Sequence, residues 1–344
     1  MKKLFIPFFL TAACLLLVVS CAEKKSEDLT GVKDEAFHLW MAKYHPEAEE
    51  LPELGIYIQW LERSGLQQKL KIGEWMKIDY TGRLLNQNVF ITRDSDIAKE
   101  VGLYENMTYY KPELRKFFPD ESDEEYYDYM YNVPLGVIEM LRDKINLNDR
   151  VMIYMPPEKG YTHGYSAMTG YSSSSVAADA FSYVAMDVKL TEIIKDIEAY
   201  EKTQLSNYVI NEMGLTMADS IAKGMYRVKT LAIPTAPEIS ETDLVSVFYT
   251  GRLVDGFIFD TNDENVAVEN GIYSKDNTYG YLSFYGTSSE FVSGFTKAIL
   301  NMRYGEKATV IFSSDLGYGA AGTSDGKVPP YSPLIFDLYV LGAD

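Results

Sequence analysis

Tyr80-Thr81-Gly82-Arg83-Leu84-Leu85-Asn86-Gln87-Asn88-Val89-Phe90-Ile91 recurs as Tyr249-Thr250-Gly251-Arg252-Leu253-Val254-Asp255-Gly256-Phe257-Ile258-Phe259-Asp260. The register holds without a gap from Gly55-Ile56-Tyr57 against Gly224-Met225-Tyr226 to Gly102-Leu103-Tyr104 against Gly271-Ile272-Tyr273. About twelve of the twenty-five positions from Tyr80 and from Tyr249 are identical, far above chance for unrelated segments. The chain therefore reads as two copies of one domain. The second copy carries Asp260 where the first carries Ile91, so a site built on that carboxylate survives in only one of them.

The 344 residues give room for two domains of ordinary size, each with its own core. Composition is globular, at 47% hydrophobic and 24% charged, and a net charge of -18 argues against binding a phosphate backbone. Lys2 and Lys3 precede an apolar run, Leu4 to Val19, that is short for a spanning helix. The run ends in Leu17-Val18-Val19-Ser20-Cys21, which resembles a bacterial lipobox. That resemblance implies a signal peptide over 1–20, lipidation at Cys21 and a flexible tether over 21–35. It places the body outside the cytoplasm on a bacterial membrane, facing the periplasm or the exterior. Cys14 leaves with the signal, so the mature chain has no thiol for a disulfide or for catalysis.

Apolar spacing predicts a short helix over Ala36–Tyr44 and strands over Gly55–Leu61 and Trp75–Tyr80. Asp94–Asn132, rich in tyrosine and acids, reads as an insertion with some helix. Helical spacing returns over Val133–Lys144, followed by strands at Arg150–Met155 and Phe181–Leu190. Thr191–Met213 reads as one linking helix with Gly214 as its cap. Strands at Gly224–Leu231, Leu244–Thr250, Gly280–Phe284, Ala308–Phe312 and Pro333–Leu341, with a helix at Gly294–Met302, complete the second copy. The expected class is α+β. The boundaries are 36–190 for the divergent first domain, 191–223 for the linker region and 224–344 for the second domain.

Phe291-Val292-Ser293-Gly294-Phe295, Tyr304-Gly305-Glu306-Lys307, the glycine-rich Asp315–Gly322, Val328-Pro329-Pro330 and Leu334–Leu341 follow Tyr249-Thr250-Gly251 and Phe259-Asp260 in order. This string closely resembles the FKBP-type peptidyl-prolyl cis-trans isomerases, the macrolide-binding immunophilins, from Gly224 to the C-terminus. The resemblance implies two FKBP-like domains, each an antiparallel half-barrel sheet wrapped around one short helix. It implies a pocket of Tyr249, Phe259, Val292, Phe295, Tyr318, Val328 and Phe336, with Leu282 or Tyr281 as a further wall. Catalytic roles fall to Asp260, which polarises the reacting amide, to Tyr318, which donates its hydroxyl to a substrate carbonyl, and to Phe336. Phe295 becomes the floor, and the Val292 N–H binds the carbonyl beyond proline.

The chemistry suits these residues. Rotation about an X-Pro bond crosses a barrier of about 18–20 kcal/mol with no bond broken. It calls for a dry aromatic pocket and donors that favour the twisted amide, not for a nucleophile, cofactor or metal. His38, His45 and His163 are dispersed without zinc spacing, and Asp260–Glu264 is only a faint calcium-loop pattern, with Asn265 where glycine is needed. In the first repeat Tyr80, Phe90, Gly136 and Tyr161 match pocket positions, but Ile91, Val137 and Met186 replace the Asp, the floor and the last Phe. An apolar pocket without its polar handle is expected there. The expected function is a prolyl isomerase that assists folding of exported proteins. Its partners are proline-containing polypeptides, a macrolide ligand and the membrane at the Cys21 anchor, with no nucleic acid. The alternative is a non-catalytic tandem chaperone or binding module.

Overall fold

Two sheets of one topology dominate the computed structural model, which describes residues 30–130, 132–161, 178, 181–286, 288, 290–300 and 302–342. Residues 30–46 form a unit by themselves, carrying helix α1 (Thr30–Tyr44). This helix begins six residues ahead of the expected start, inside the stretch read as tether. The signal segment and Cys21 lie outside the described residues, as do residues 162–177.

The first sheet holds β1 (Glu49–Leu51), β2 (Ile56–Glu62), β3 (Trp75–Leu84), β4 (Val89–Thr92), β5 (Glu113–Lys116), β6 (Arg150–Met155) and β7 (Val184–Ile194). Its order is β1-β2-β6-β7-β3-β4, with β5 also on β3. Helices α2 (Ser95–Glu100), α3 (Tyr126–Tyr129) and α4 (Leu135–Asp143) complete this domain, and α5 (Ile197–Asn207) follows it. The second sheet holds β8 (Met225–Leu231), β9 (Leu244–Arg252), β10 (Ile258–Thr261), β11 (Leu282–Tyr285), β12 (Lys307–Phe312) and β13 (Leu334–Val340). Its order, β10-β9-β13-β12-β8 with β11 on β9, repeats that of β4-β3-β7-β6-β2 with β5 on β3. Helices α6 (Glu264–Glu269) and α7 (Ser293–Leu300) occupy the places of α2 and α4. Every pairing is antiparallel, which gives the α+β class and the two like domains expected.

The repeat runs further than the sequence reading. Asp94 and Asp263 both cap the next helix, each accepting from two backbone N–H groups, as Asx caps do. Tyr104 stacks on Tyr110 at 5.4 Å, and Tyr273 stacks on Tyr279 at 5.3 Å. Glu113 pairs with Ile78 on β3 as Leu282 pairs with Val247 on β9, so the register holds as far as Lys116 against Tyr285. Asp94–Asn132 is therefore not one long insertion. Its first part is the counterpart of α6 and β11, and the added residues lie between Lys116 and α4, where α3 sits.

The linking helix is also shorter than expected. Strand β7 continues to Ile194, and α5 begins only after Asp196, whose carboxylate accepts from the Ala199 N–H. The helix leaves through a π-turn at Tyr208–Glu212, and Gly214 follows at a φ of 65°, where the missing Cβ removes the left-handed penalty. Leu205 and Val209 pack on Tyr226, Ile311 and Ile335, the outer face of the second sheet. Glu201 takes the Ser314 hydroxyl at 2.8 Å, fixing the linker to the start of the glycine-rich loop.

Inside each sheet, α4 or α7 covers a buried core. Gly136 and Gly294 let these helices approach closely, since a Cβ on Gly294 would sit 2.5 Å from the Phe312 ring. The shared Tyr-Thr-Gly-Arg has a similar cause. A Cβ on Gly251 would meet the Phe259 ring at 2.7 Å, and one on Gly82 would meet Phe90 at 2.7 Å. Thr250 and Thr261 join hydroxyls at 2.9 Å, as Thr81 and Thr92 do at 2.7 Å, holding each short strand to its long partner.

Candidate active site

Strand β10 is irregular where it matters. Its register on β9 shifts between Ile258 and Asp260, a bulge that lets consecutive Phe259 and Asp260 line the same cleft. Tyr249 on β9 and Tyr318 and Val328 on the loop after β12 line it too, around a volume of about 490 Å³. The Tyr249 hydroxyl donates to Asp260 Oδ2 at 2.7 Å. Burial first, and then the Asp260 charge, push the Tyr249 phenol well above its ordinary range. Tyr318 is raised by the same pair of causes, with Asp325 adding to them. Both phenols therefore stay protonated donors through neutral pH.

Behind this cleft lies a closed aromatic layer. Phe295 on α7 is 5.2 Å from Phe336 and 5.4 Å from Tyr249, both edge-on, and Phe336 meets Phe259 edge-on at 5.7 Å. Such contacts add about 0.5–1.5 kcal/mol each beyond burial. The structure brings Tyr249, Phe259, Asp260, Tyr318 and Val328 together around open space. Phe295 and Phe336 are buried beneath them, and Val292 and Leu282 pack on the same core, so these four do not face that space. Phe336 backs the cleft and does not reach into it. Tyr281, offered as an alternative to Leu282, is exposed and lies 6.5 Å from Phe248, away from the cleft. Asp260 is exposed, because β10 lies at the edge of its sheet.

Sequence reasoning missed two parts of the site. Asn262, read only within a weak calcium pattern, is buried and accepts from the Tyr249 N–H at 2.7 Å while donating to the Val247 carbonyl at 2.9 Å. It holds the pocket tyrosine's backbone. Met107, from the first domain, lines the cleft opposite. Only packing between the domains brings it there, and no local pattern could signal it.

The first domain's equivalent pocket is larger, about 630 Å³, and it is not without a polar handle as expected. The Tyr80 hydroxyl, the counterpart of Tyr249, donates to Glu113 Oε2 at 2.6 Å. Glu113 stands at the position of Leu282, so the carboxylate lost at Ile91 returns from another strand. Arg115, at the position of Phe284, donates to Glu113 Oε1 at 3.0 Å. Burial alone would raise the Glu113 carboxyl, but Arg115 and Arg93, together with the Tyr80 hydroxyl, more than offset it and leave it below its ordinary value. Phe90 and Tyr161 meet edge-on at 5.8 Å, while Val137 and Met186 leave the space that two rings fill in the second domain.

Residues 236–341 match the family described as FKBP-type peptidyl-prolyl cis-trans isomerase. The chain is similar to the macrophage infectivity potentiator of Trypanosoma cruzi, at 36% identity over 106 residues, 31% of this chain and 45% of that protein. It resembles the short-type peptidyl-prolyl cis-trans isomerase of Methanocaldococcus jannaschii at 38% identity over 81 residues, 24% of this chain and 51% of that protein. The match thus spans about half the length of each of these two relatives. FK506-binding protein 1B of Neurospora crassa is 34% identical over 108 residues, 31% of this chain and 88% of its own length. A relative matched over nearly its whole length, together with the Tyr249–Asp260 cleft over an aromatic layer, shows that the chain belongs to the FKBP-type peptidyl-prolyl cis-trans isomerase family.

Proposed function

We propose that the chain is a lipid-anchored, extracytoplasmic prolyl isomerase that assists folding of exported proteins, with its active site in the second domain's cleft. The observation that carries this reading is the Tyr249–Asp260 pair, set beside Phe259 and Tyr318 in one cleft. A proline ring is apolar and fits against Phe259 and Val328. Rotation of the X-Pro amide removes its resonance and localises charge on the oxygen and nitrogen. Donors and a fixed carboxylate around the twisted amide stabilise it more than the planar one, and that difference is the catalysis. Tyr318 serves as the donor to a substrate carbonyl, and Asp260 sets the field in which the amide turns. The same cleft is the proposed site for a macrolide ligand.

The test is isomerisation of a short Pro-containing peptide by the intact chain. A rate no faster than the uncatalysed one would leave the second reading, a tandem binding module. The 630 Å³ cavity of the first domain favours that second reading as an added role. Anchoring rests on Leu17 to Cys21. Acyl chains on Cys21, each buried methylene adding about 0.8 kcal/mol, hold the protein on a membrane stably when more than one is attached. Cys21→Ser with the signal removed is expected in the soluble fraction, and membrane association equal to that of the unaltered protein overturns the anchor.

A further inference from the structure

The two cavities adjoin. Thr323, Asp325 and Val328 of the second domain's loop line both of them. Across from that loop, Met107 lines the isomerase cleft, and the next two residues, Thr108 and Tyr109, line the first-domain cavity. The same two segments therefore bound both spaces.

Both segments are fixed. Tyr109 donates its hydroxyl to Asp255 Oδ2 at 2.9 Å, packs edge-on against Phe257 at 5.0 Å, and has its carbonyl held by Arg93 at 2.8 Å. Met107 next to it sits at a φ of 63°, a left-handed conformation that costs a non-glycine residue energy and persists only where the surroundings hold it. On the other side, Gly322 has a φ of 67°, and a Cβ there would lie 2.3 Å from the Val328 carbonyl oxygen. The loop folds back on itself only because that position is glycine.

The first-domain cavity has the chemistry of a polypeptide side-chain site. Val137 and Met186 replace rings and open an apolar space. At its polar end Glu113 and Arg115 are paired, so their charges offset each other while the lining offers donors and acceptors. A neutral peptide group carrying a bulky apolar side chain matches this better than an ion does. The two cavities share Thr323, Asp325 and Val328 as a common wall, and four extended residues reach about 13–14 Å, the span taken here for a chain that passes from one to the other.

We infer that one client polypeptide occupies both cavities, its proline in the second-domain cleft and a bulky apolar side chain, about four residues away, in the first-domain cavity. This rests on the isomerase reading of the cleft. It makes the first domain a second grip on the same chain, which raises affinity through effective concentration and leaves the chemistry at proline unchanged.

The test uses the intact chain and fluorescein-labelled ten-residue peptides of alanine and serine with one central proline. Two peptides carry Phe four residues before or four after the proline, and the control carries Ala. Anisotropy should show at least one Phe peptide binding about tenfold more tightly than the control. Val137→Trp, which fills the first-domain cavity, should remove that gain while leaving control-peptide binding and short-peptide isomerisation unchanged. Ile91→Trp, from another wall of the cavity, gives the same test if Val137→Trp fails to fold. Equal affinity of all three peptides, or a gain that survives in a folded cavity-filled variant, overturns the inference. Loss of the isomerase reading shows separately, as an unaccelerated rate on the short peptide, because binding is read without turnover.

Discussion

Asp260→Ala should lower the rate of prolyl isomerisation about five- to two-hundredfold, the effect of losing about 1–3 kcal/mol of transition-state stabilisation. Two losses combine. The carboxylate no longer acts on the twisted amide, and the Tyr249 hydroxyl, which donates to it at 2.7 Å, loses its partner. Tyr318→Phe should fall in the same range, because it removes one donor and leaves the ring that walls the cleft. No single change should abolish the rate, since no covalent intermediate forms. The rate should be level from pH 6 to 8, with no histidine among the described residues that line the cleft and both phenols raised above their ordinary value near 10. Rate constants for one Pro-containing peptide, measured across that range for each variant, check the expectation. Full activity in Asp260→Ala would move the chemistry to the Tyr80–Glu113 pair of the first domain.

The repeat was legible because its cause is local. Tyr-Thr-Gly-Arg marks a strand that passes beneath an aromatic ring, and Gly82 and Gly251 are the places where a Cβ would collide with it. The cap aspartates were legible in principle at Asp94 and Asp263, and Asp196 signalled the true start of α5, although Ile193 and Ile194 fitted the helical period and drew the boundary too early. What stayed hidden depends on contacts across strands. Leu282 and Glu113 share a position but no chemistry, since the side chain on β5 or β11 is set by what it faces on the neighbouring strand. The carboxylate that replaces Asp260 in the first domain was therefore invisible at Ile91, the one position where sequence comparison looked for it. The exposure of Asp260 has a cause of the same kind. A strand's alternation tells which side a residue takes, but whether that side is covered depends on the edge, and β10 is an edge strand.

Glu306→Ala should destabilise the second domain by about 3 kcal/mol, a shift in unfolding midpoint on the order of 10 °C. Glu306 ends the Tyr304-Gly305-Glu306 turn before β12, and its side chain is 1% exposed. It accepts from Lys229 Nζ at 2.7 Å, from the Arg303 N–H at 2.9 Å and from the Ile233 N–H at 3.3 Å. Truncation leaves two backbone donors without that partner and Lys229 without its counter-charge, and an orphaned donor costs more than a bond gained. Asp149 is its twin in the first domain, accepting from the Ser64 and Asn146 N–H groups at 2.8 and 3.0 Å, so both copies close the same turn with a buried carboxylate. Burial raises the Glu306 carboxyl, but Lys229 and the two backbone donors outweigh it and hold it below the ordinary 4.5. A group depressed in this way stabilises the fold fully above pH 4.5 and loses that contribution as the pH falls through its folded value. The gap between Glu306→Ala and the unaltered chain should therefore be widest near pH 7 and shrink toward pH 3. Denaturant unfolding followed by far-ultraviolet circular dichroism at both pH values reads it directly. A variant within 0.5 kcal/mol of the unaltered protein at pH 7 would mean that water satisfies the turn as well as the carboxylate does.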